Sequence, residues 1–161
     1  KNMNTEFSSL EILKMAISVE KEGEEFYEMC ASANAKEEVT NIFEKLAADE
    51  RRHRTYFKEL LTEFNKSDQS LDYLYEELTS DYLKSIVNER IFPDNKEATE
   101  EIANNLNEAL DIGIKSEKNS ILLYQELLKS EEDEDAVKAL QKLINEEKSH
   151  LVKLKKLQSY T

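Results

Sequence analysis

Residues that interrupt helices are scarce in this chain, which has two glycines and one proline among 161 residues. Glycine and proline are the strongest helix breakers, so their scarcity, together with 35% charged residues, favours long uninterrupted helices. The length agrees with one domain that buries a substantial core. We therefore predict an all-α fold, with residues 1–161 forming a single domain.

Other absences exclude classes of function. The single cysteine, Cys30, can form no internal disulfide and no Cys-x-x-Cys pair, which excludes an iron–thiolate module within this sequence and fits a reducing compartment. No apolar run approaches the length of a membrane span and no signal-peptide pattern is present, so we expect a cytoplasmic protein without a membrane partner. The net charge of −13 argues against a nucleic-acid partner, whose phosphates would repel it.

Histidine is almost as rare, and both copies stand in the same pattern. Glu50-Arg-Arg-His53 and Glu147-Lys-Ser-His150 lie 97 residues apart. A Glu and a His three residues apart lie about one turn apart on the same face of a helix, so both side chains can reach one metal ion. The repetition makes each motif more informative than it would be alone.

The two motifs belong to a longer internal repeat. At the same offset of 97, Glu20 matches Glu117 and Tyr27 matches Tyr124. The pattern predicts a duplicated helix hairpin, with one helix pair over about 9–64 and the other over about 105–159. The connection over about 65–104 is too long for a simple turn, so it should cross the bundle. The predicted fold is a four-helix bundle built from two repeated helix hairpins with a long crossover connection.

Capping patterns give the expected helix boundaries. Ser8-Ser-Leu-Glu11 reads as a capping box that opens a first helix over about 9–33. Asn105 is a candidate cap for the third long helix, and the acidic stretch 131–135 suits the start of the fourth. In the crossover, Leu71, Leu74, Leu78, Tyr82 and Ile86 predict one or two short helices, which should end before Pro93.

Four inward-facing carboxylates would be costly in a core of low dielectric constant, because desolvation and mutual repulsion both oppose their ionisation. Two divalent cations would neutralise them, and Glu and His ligands suit iron, manganese or zinc. One Glu from each of two helices with a Glu-x-x-His from each of the other two is the ligand pattern of di-iron bundles. We predict a dimetal centre with six ligands: Glu20, Glu50, His53, Glu117, Glu147 and His150. The alternative is a metal-free bundle with satisfied polar groups.

Tyrosines and arginines near these motifs have less decided roles. Tyr27 and Tyr124 each follow a candidate ligand by seven residues, about two turns, on the same face. They are either second-shell hydrogen-bond donors to the ligand carboxylates or amphipathic core residues. Arg51, Arg52 and Arg54 are interpreted as solvent-facing charges without a role in the site.

The stretch Ile17-Ser-Val-Glu-Lys-Glu-Gly-Glu-Glu-Phe-Tyr27 resembles the first helix of the rubrerythrin family, in the ferritin-like superfamily, and Ala48-Asp-Glu-Arg-Arg-His53 resembles its second. The resemblance implies a non-haem di-iron site in which two carboxylates bridge the metals and four residues are terminal ligands. The implied bridging ligands are Glu50 and Glu147, and the implied terminal ligands are Glu20, Glu117, His53 and His150.

Two features depart from the family pattern. Full-length rubrerythrins carry a cysteine-ligated rubredoxin module, for which this sequence lacks the cysteines. They also carry an additional Glu three residues after the ligand of the third long helix, where this chain has Ser120. With no carboxylate there to replace His53, we expect that histidine to stay bound to its metal in both oxidation states.

The function implied is reduction of hydrogen peroxide or dioxygen by a di-iron oxidoreductase, with electrons from an external donor such as a rubredoxin-like protein. The alternatives are an iron-binding, ferroxidase or metal-sequestering protein, and a bundle whose metals only hold the fold. We expect a homodimer with two iron ions per chain, manganese or zinc being the other candidates.

Overall fold

The structure is a computed structural model that describes residues 8–66, 76–88 and 91–160. These residues form six helices: α1 (Ser9–Ala33), α2 (Glu37–Lys66), α3 (Glu77–Asn88), α4 (Lys96–Ala103), α5 (Leu106–Ser130) and α6 (Glu134–Ser159). The all-α class is confirmed. The most extensive contacts are within the hairpins α1–α2 and α5–α6, and α1 also packs against α5.

Side-chain caps define where three of the long helices start. Ser8 Oγ accepts a hydrogen bond of 3.2 Å from the backbone N–H of Glu11, and α1 spans the residues predicted for it. The side chain of Asn105 caps α5 and that of Asp133 caps α6. Each cap satisfies a backbone N–H that the first helical turn leaves without a partner, so local sequence determines these boundaries.

The crossover contains one helix that the sequence predicted and one that it did not. α3 agrees with the prediction, but its register does not, because Leu78 is 81% exposed and Tyr82 is 39% exposed while Leu83 is buried. Of the predicted apolar stripe only Ile86 is buried in the described part; Leu71 and Leu74 lie outside the described residues. The short helix α4, which follows Pro93, was missed because its eight residues contain few apolar side chains from which a helical period can be read.

The core consists of two apolar clusters separated by a polar layer. One cluster contains Phe43, Leu110 and Leu154, and the other contains Phe57, Leu123 and Leu140. Along each of the four long helices, the candidate ligand positions lie between residues of the first cluster and residues of the second. Carboxylates and imidazoles are therefore held at mid-bundle, with hydrophobic packing on both sides to keep their helices in place.

No helix in the described ranges combines the length and apolarity that a bilayer crossing requires.

Candidate metal centre

All six predicted ligands meet in the polar layer, and each is at most 3% exposed. They come from all four long helices: Glu20 from α1, Glu50 and His53 from α2, Glu117 from α5, and Glu147 and His150 from α6. Burial of four carboxylates is unusual, because charged groups are rarely fully buried unless they are paired or bind a metal.

The ligand atoms form two groups that share two carboxylates. Glu20, Glu50, His53 and Glu147 form one group, and Glu50, Glu117, Glu147 and His150 form the other, with the atoms of each group within 4.8 Å of one another. The two shared residues are those to which the resemblance assigns the bridging role. The geometry is therefore that of two adjoining cation sites, although metal ligation itself stays a prediction.

Both imidazoles turn the same nitrogen towards the carboxylates. His53 Nδ1 lies 2.8 Å from Glu147 Oε1, and His150 Nδ1 lies 3.2 Å from Glu50 Oε1. The two rings are nearly parallel, with an interplanar angle of 18° and centroids 6.0 Å apart. Each histidine thus approaches a shared carboxylate of the opposite hairpin, so the layer joins the two halves of the bundle.

The two buried tyrosines also connect the hairpins, in a reciprocal pattern. Tyr27 on α1 donates a hydrogen bond of 2.6 Å to Glu117 Oε1, and Tyr124 on α5 donates one to Glu20 Oε1. Each hydroxyl thus donates to a candidate terminal ligand, while each ring also belongs to one of the apolar clusters. Burial, followed by repulsion from the neighbouring carboxylates, raises the pKa of both phenols well above 10.0, so both remain protonated donors.

The shared carboxylates are the ones that resist ionisation most. Burial raises the pKa of Glu147, and repulsion from Glu117 and Glu50 raises it further. Burial and the charges of Glu20 and Glu117 likewise raise the pKa of Glu50. For Glu117 burial acts in the same direction, but its interactions with Glu147, with His150 and with the Tyr27 hydroxyl outweigh burial and lower the pKa. A cation between the hairpins would offset the desolvation and repulsion of these two central carboxylates and so favour their ionised forms.

Many polar atoms of this layer are buried without a hydrogen-bond partner, which tests whether the residues fit a metal pair. These atoms are Glu20 Oε2, Glu50 Oε1, His53 Nδ1 and Nε2, Glu117 Oε2, both carboxylate oxygens of Glu147, and His150 Nδ1. Native proteins leave few such atoms, since each costs about 1–3 kcal/mol. Their convergence disfavours a metal-free bundle with satisfied polar groups. Oxygen and imidazole donors suit iron, manganese or zinc, so the residues fit the implied ions.

A second layer of charged residues, which sequence analysis missed, surrounds the histidines. Asp49 Oδ2 lies 2.9 Å from His150 Nε2, and Glu146 Oε2 lies 3.4 Å from His53 Nε2. Asp49 and Glu146 immediately precede the shared carboxylates and are themselves 97 residues apart. That offset was the signal that could have identified them.

The interpretation of the nearby arginines as solvent-facing charges is confirmed for Arg51 and Arg52, which are exposed, but all three arginines also bind carboxylates. Arg52 contacts both Asp49 and Glu146, while Arg51 and Arg54 pair with the buried carboxylate of Glu24. Their side chains are long enough to bind these acids while remaining partly exposed. Sequence spacing could not show this, because most of the partners lie on other helices.

The sequence profile of the rubrerythrin family matches residues 11–158. The chain belongs to the rubrerythrin family. A solved structure described as a ferritin-like diiron-carboxylate protein from Thermotoga maritima is similar, with 30% identity, a TM-score of 0.75 and coverage of 96% of each chain. A hypothetical protein from Pyrococcus furiosus shares the fold, with 20% identity and a TM-score of 0.71 over 95% of this chain and 89% of that one. A comparison with curated proteins gives no match.

The position at which this rubrerythrin-family chain departs from the family pattern lies inside the bundle. Ser120 is on α5, one turn after Glu117, and is 2% exposed. The residue at the equivalent point of the first hairpin is Gly23 on α1, where an added Cβ would lie 3.1 Å from Glu50 Oε2. Gly23 therefore permits the close approach of a shared carboxylate to α1.

Proposed function

We propose that this protein is a non-haem di-iron carboxylate oxidoreductase that reduces hydrogen peroxide or dioxygen with electrons from an external donor protein. The observation that supports it is the pair of buried ligand groups that overlap at Glu50 and Glu147. Membership of the rubrerythrin family makes iron the leading candidate for both sites. The single cysteine, Cys30, cannot provide a four-cysteine electron-transfer site, so within this proposal electrons come from outside these residues.

The proposal assigns each candidate ligand a place. Glu20 and His53 would complete one site, Glu117 and His150 would complete the other, and the shared carboxylates would lie between the ions. When bound, an iron pair would supply two electrons to an O–O bond and neutralise the negative charge that develops on its oxygens.

The surrounding residues prepare the site for this chemistry. Tyr27 and Tyr124 each occupy one oxygen of a terminal carboxylate, which restricts its rotation and leaves the other oxygen for a metal. Asp49 Oδ2 lies 2.9 Å from His150 Nε2, where it would accept the Nε2–H and so leave the Nδ1 lone pair for a metal in the ligand group. The apolar clusters on both sides limit access of water to the buried layer.

Anaerobic loading with ferrous iron, followed by hydrogen peroxide, tests the proposal. We expect about two irons per chain, rapid oxidation with about one peroxide consumed per iron pair, and repeated turnover once a reductant is supplied. Iron uptake well beyond two per chain, or oxidation without turnover, would instead support storage or ferroxidase activity. Loaded protein that does not react with peroxide or dioxygen would support metals that only hold the fold.

Matched variants on α2 connect the activity to the site. Glu50→Gln removes one negative charge from both ligand groups and should abolish loading of the iron pair. Glu44→Gln makes the same chemical change at an exposed position on the same helix and should load and react normally. Equal behaviour of the two variants would contradict the proposed site.

A further inference from the structure

Arg52 binds two carboxylates that belong to different hairpins. Its Nη2 lies 3.0 Å from Asp49 Oδ1 on α2 and 2.5 Å from Glu146 Oε1 on α6. Its Nη1 also donates a hydrogen bond of 3.3 Å to Glu146 Oε2. A single guanidinium thus joins the helices that carry the two Glu-x-x-His motifs.

Each of these carboxylates also faces a candidate histidine ligand. Asp49 uses its other oxygen for His150 Nε2 at 2.9 Å, and Glu146 Oε2 lies 3.4 Å from His53 Nε2. The arrangement is crossed, because the acid on α2 contacts the histidine on α6 and the acid on α6 contacts the histidine on α2. Arg52 is therefore linked to each imidazole through one carboxylate, to His150 through Asp49 and to His53 through Glu146.

The internal repeat does not duplicate this arginine. The residue 97 positions after Arg52 is Ser149, which is exposed and has no charge. Asp49 has additional support from Lys45, whose Nζ lies 2.5 Å from Oδ1, whereas Glu146 Oε2 lies 3.4 Å from His53 Nε2 without forming a hydrogen bond to it. Arg52, from the first hairpin, thus contacts the carboxylate beside each histidine. The orientation of His53 should depend on Arg52 more strongly than that of His150.

We propose that Arg52 is a positioning residue for both halves of the metal centre. By holding Asp49 and Glu146, it keeps both Nε2 atoms facing a carboxylate, so that both Nδ1 atoms face the ligand groups. This inference rests on the proposed dimetal centre. The planar fork of a guanidinium suits the task because it can bind two carboxylates at once in defined directions, which the point charge of a lysine cannot.

Because Arg52 is partly exposed, its effect on the orientation of the histidines can be distinguished from an effect on the stability of the fold. Its side chain is 49% exposed, and ion pairs at such sites contribute little to the free energy of unfolding. The carboxylate partner of a ligating histidine, in contrast, fixes the ring orientation and increases the basicity of the ligand nitrogen. Removal of Arg52 should therefore weaken metal binding while the protein remains folded.

Zinc is the probe, because it suits Glu and His ligands and undergoes no redox change. Calorimetric titration measures its affinity in the wild-type protein and in Arg52→Ala, for which we expect a loss of about 10- to 100-fold. Nitrogen-15 NMR of histidine-labelled, zinc-loaded protein then reports the rings directly, because the chain contains only His53 and His150. We expect both Nε2–H signals to shift and to exchange faster with water in Arg52→Ala, with the larger change at His53.

Two further variants make the interpretation specific. Arg51→Ala is the matched control, because Arg51 is on the same helix, is 53% exposed and pairs with Glu24 and Glu28 rather than with the acids at the histidines. It should retain the zinc affinity and both ring signals. Arg52→Lys restores the charge without the fork, so it should recover zinc affinity only in part.

The outcomes distinguish this inference from the metal centre on which it rests. Wild-type protein that binds no zinc or ferrous ion would overturn the metal centre itself. Wild-type protein that binds two zinc ions, with unchanged affinity and ring signals in Arg52→Ala, would overturn only the role of Arg52. An equal loss in Arg51→Ala and Arg52→Ala would also overturn it, because a general effect of surface charge would then be sufficient.

Discussion

Replacement of Glu147 by glutamine should change stability in opposite directions with and without metal. Glu147 is fully buried, belongs to both ligand groups, and has two oxygens without a hydrogen-bond partner. Glutamine has nearly the same shape but no charge. Without metal the variant therefore loses the desolvation and repulsion that raise the pKa of Glu147, whereas with metal it lacks a ligand at both sites.

The expected magnitudes follow from these two effects. The variant avoids the desolvation of a buried carboxylate charge, which stabilises the metal-free protein by about 1–3 kcal/mol and raises its Tm by roughly 2–12 °C for a chain of this size. Each site occupied at about 100 times its Kd adds about 2.7 kcal/mol to the wild type, so two sites add about 5 kcal/mol, or roughly 10–20 °C. The variant should lose most of this increment.

Thermal unfolding followed by circular dichroism measures both the Tm of the metal-free protein and the increment that metal adds. The measurement is made in chelator and in excess manganous or ferrous ion under anaerobic conditions. The reasoning would be refuted by a Glu147→Gln variant that is less stable than the wild type in chelator and that still gains the full metal increment. Glu44→Gln on α2 is again the control, since its exposed side chain should affect neither value.

The same cluster predicts the pH dependence of the metal-free protein. Because the pKa values of Glu50 and Glu147 are raised above 4.5, the folded state binds more protons than the unfolded state above that pH. Unfolding free energy in chelator should therefore fall as pH rises from 4.5 through the raised pKa values. Urea denaturation at about pH 5 and about pH 8 measures this decrease, which should be smaller in Glu147→Gln. A wild-type protein that becomes more stable across this range would contradict the raised pKa values.

Three further predictions concern individual contacts. Gly23→Ala should displace Glu50 and weaken zinc binding in calorimetry, because the new Cβ would lie 3.1 Å from a carboxylate oxygen; unchanged affinity would show that this carboxylate has room to move. Tyr27→Phe should lower the unfolding free energy of the metal-free protein by about 1.5–3 kcal/mol, since it removes a buried hydrogen bond to a carboxylate, and chemical denaturation would detect that loss. With Ser120 in place of a carboxylate, crystal structures of the reduced and oxidised iron-loaded protein should both show His53 bound, and a metal detached from His53 in either would refute this expectation.

The amino-acid sequence alone determined the local features of this protein. The cap at Ser8 and the boundaries of α1 follow from short-range hydrogen bonds, and the inward register of Glu50 and His53 follows from helical periodicity. The repeat offset of 97 then related the two hairpins. The crossover lies outside that repeat, and there the sequence missed α4 and gave the wrong register for α3. The cap and the inward register share a cause, since each depends on residues within one or two turns of a single helix.

Only the tertiary structure decided which individual atoms pair across the bundle. The bond from Tyr27 to Glu117 joins residues 90 positions apart, and the contact of Asp49 with His150 joins residues 101 apart. The bridging position of Arg52 depends in the same way on how α2 and α6 are placed against each other. Sequence spacing states which face of a helix a residue occupies, but the rotation and displacement of one packed helix against another arise from the fit of all their side chains together.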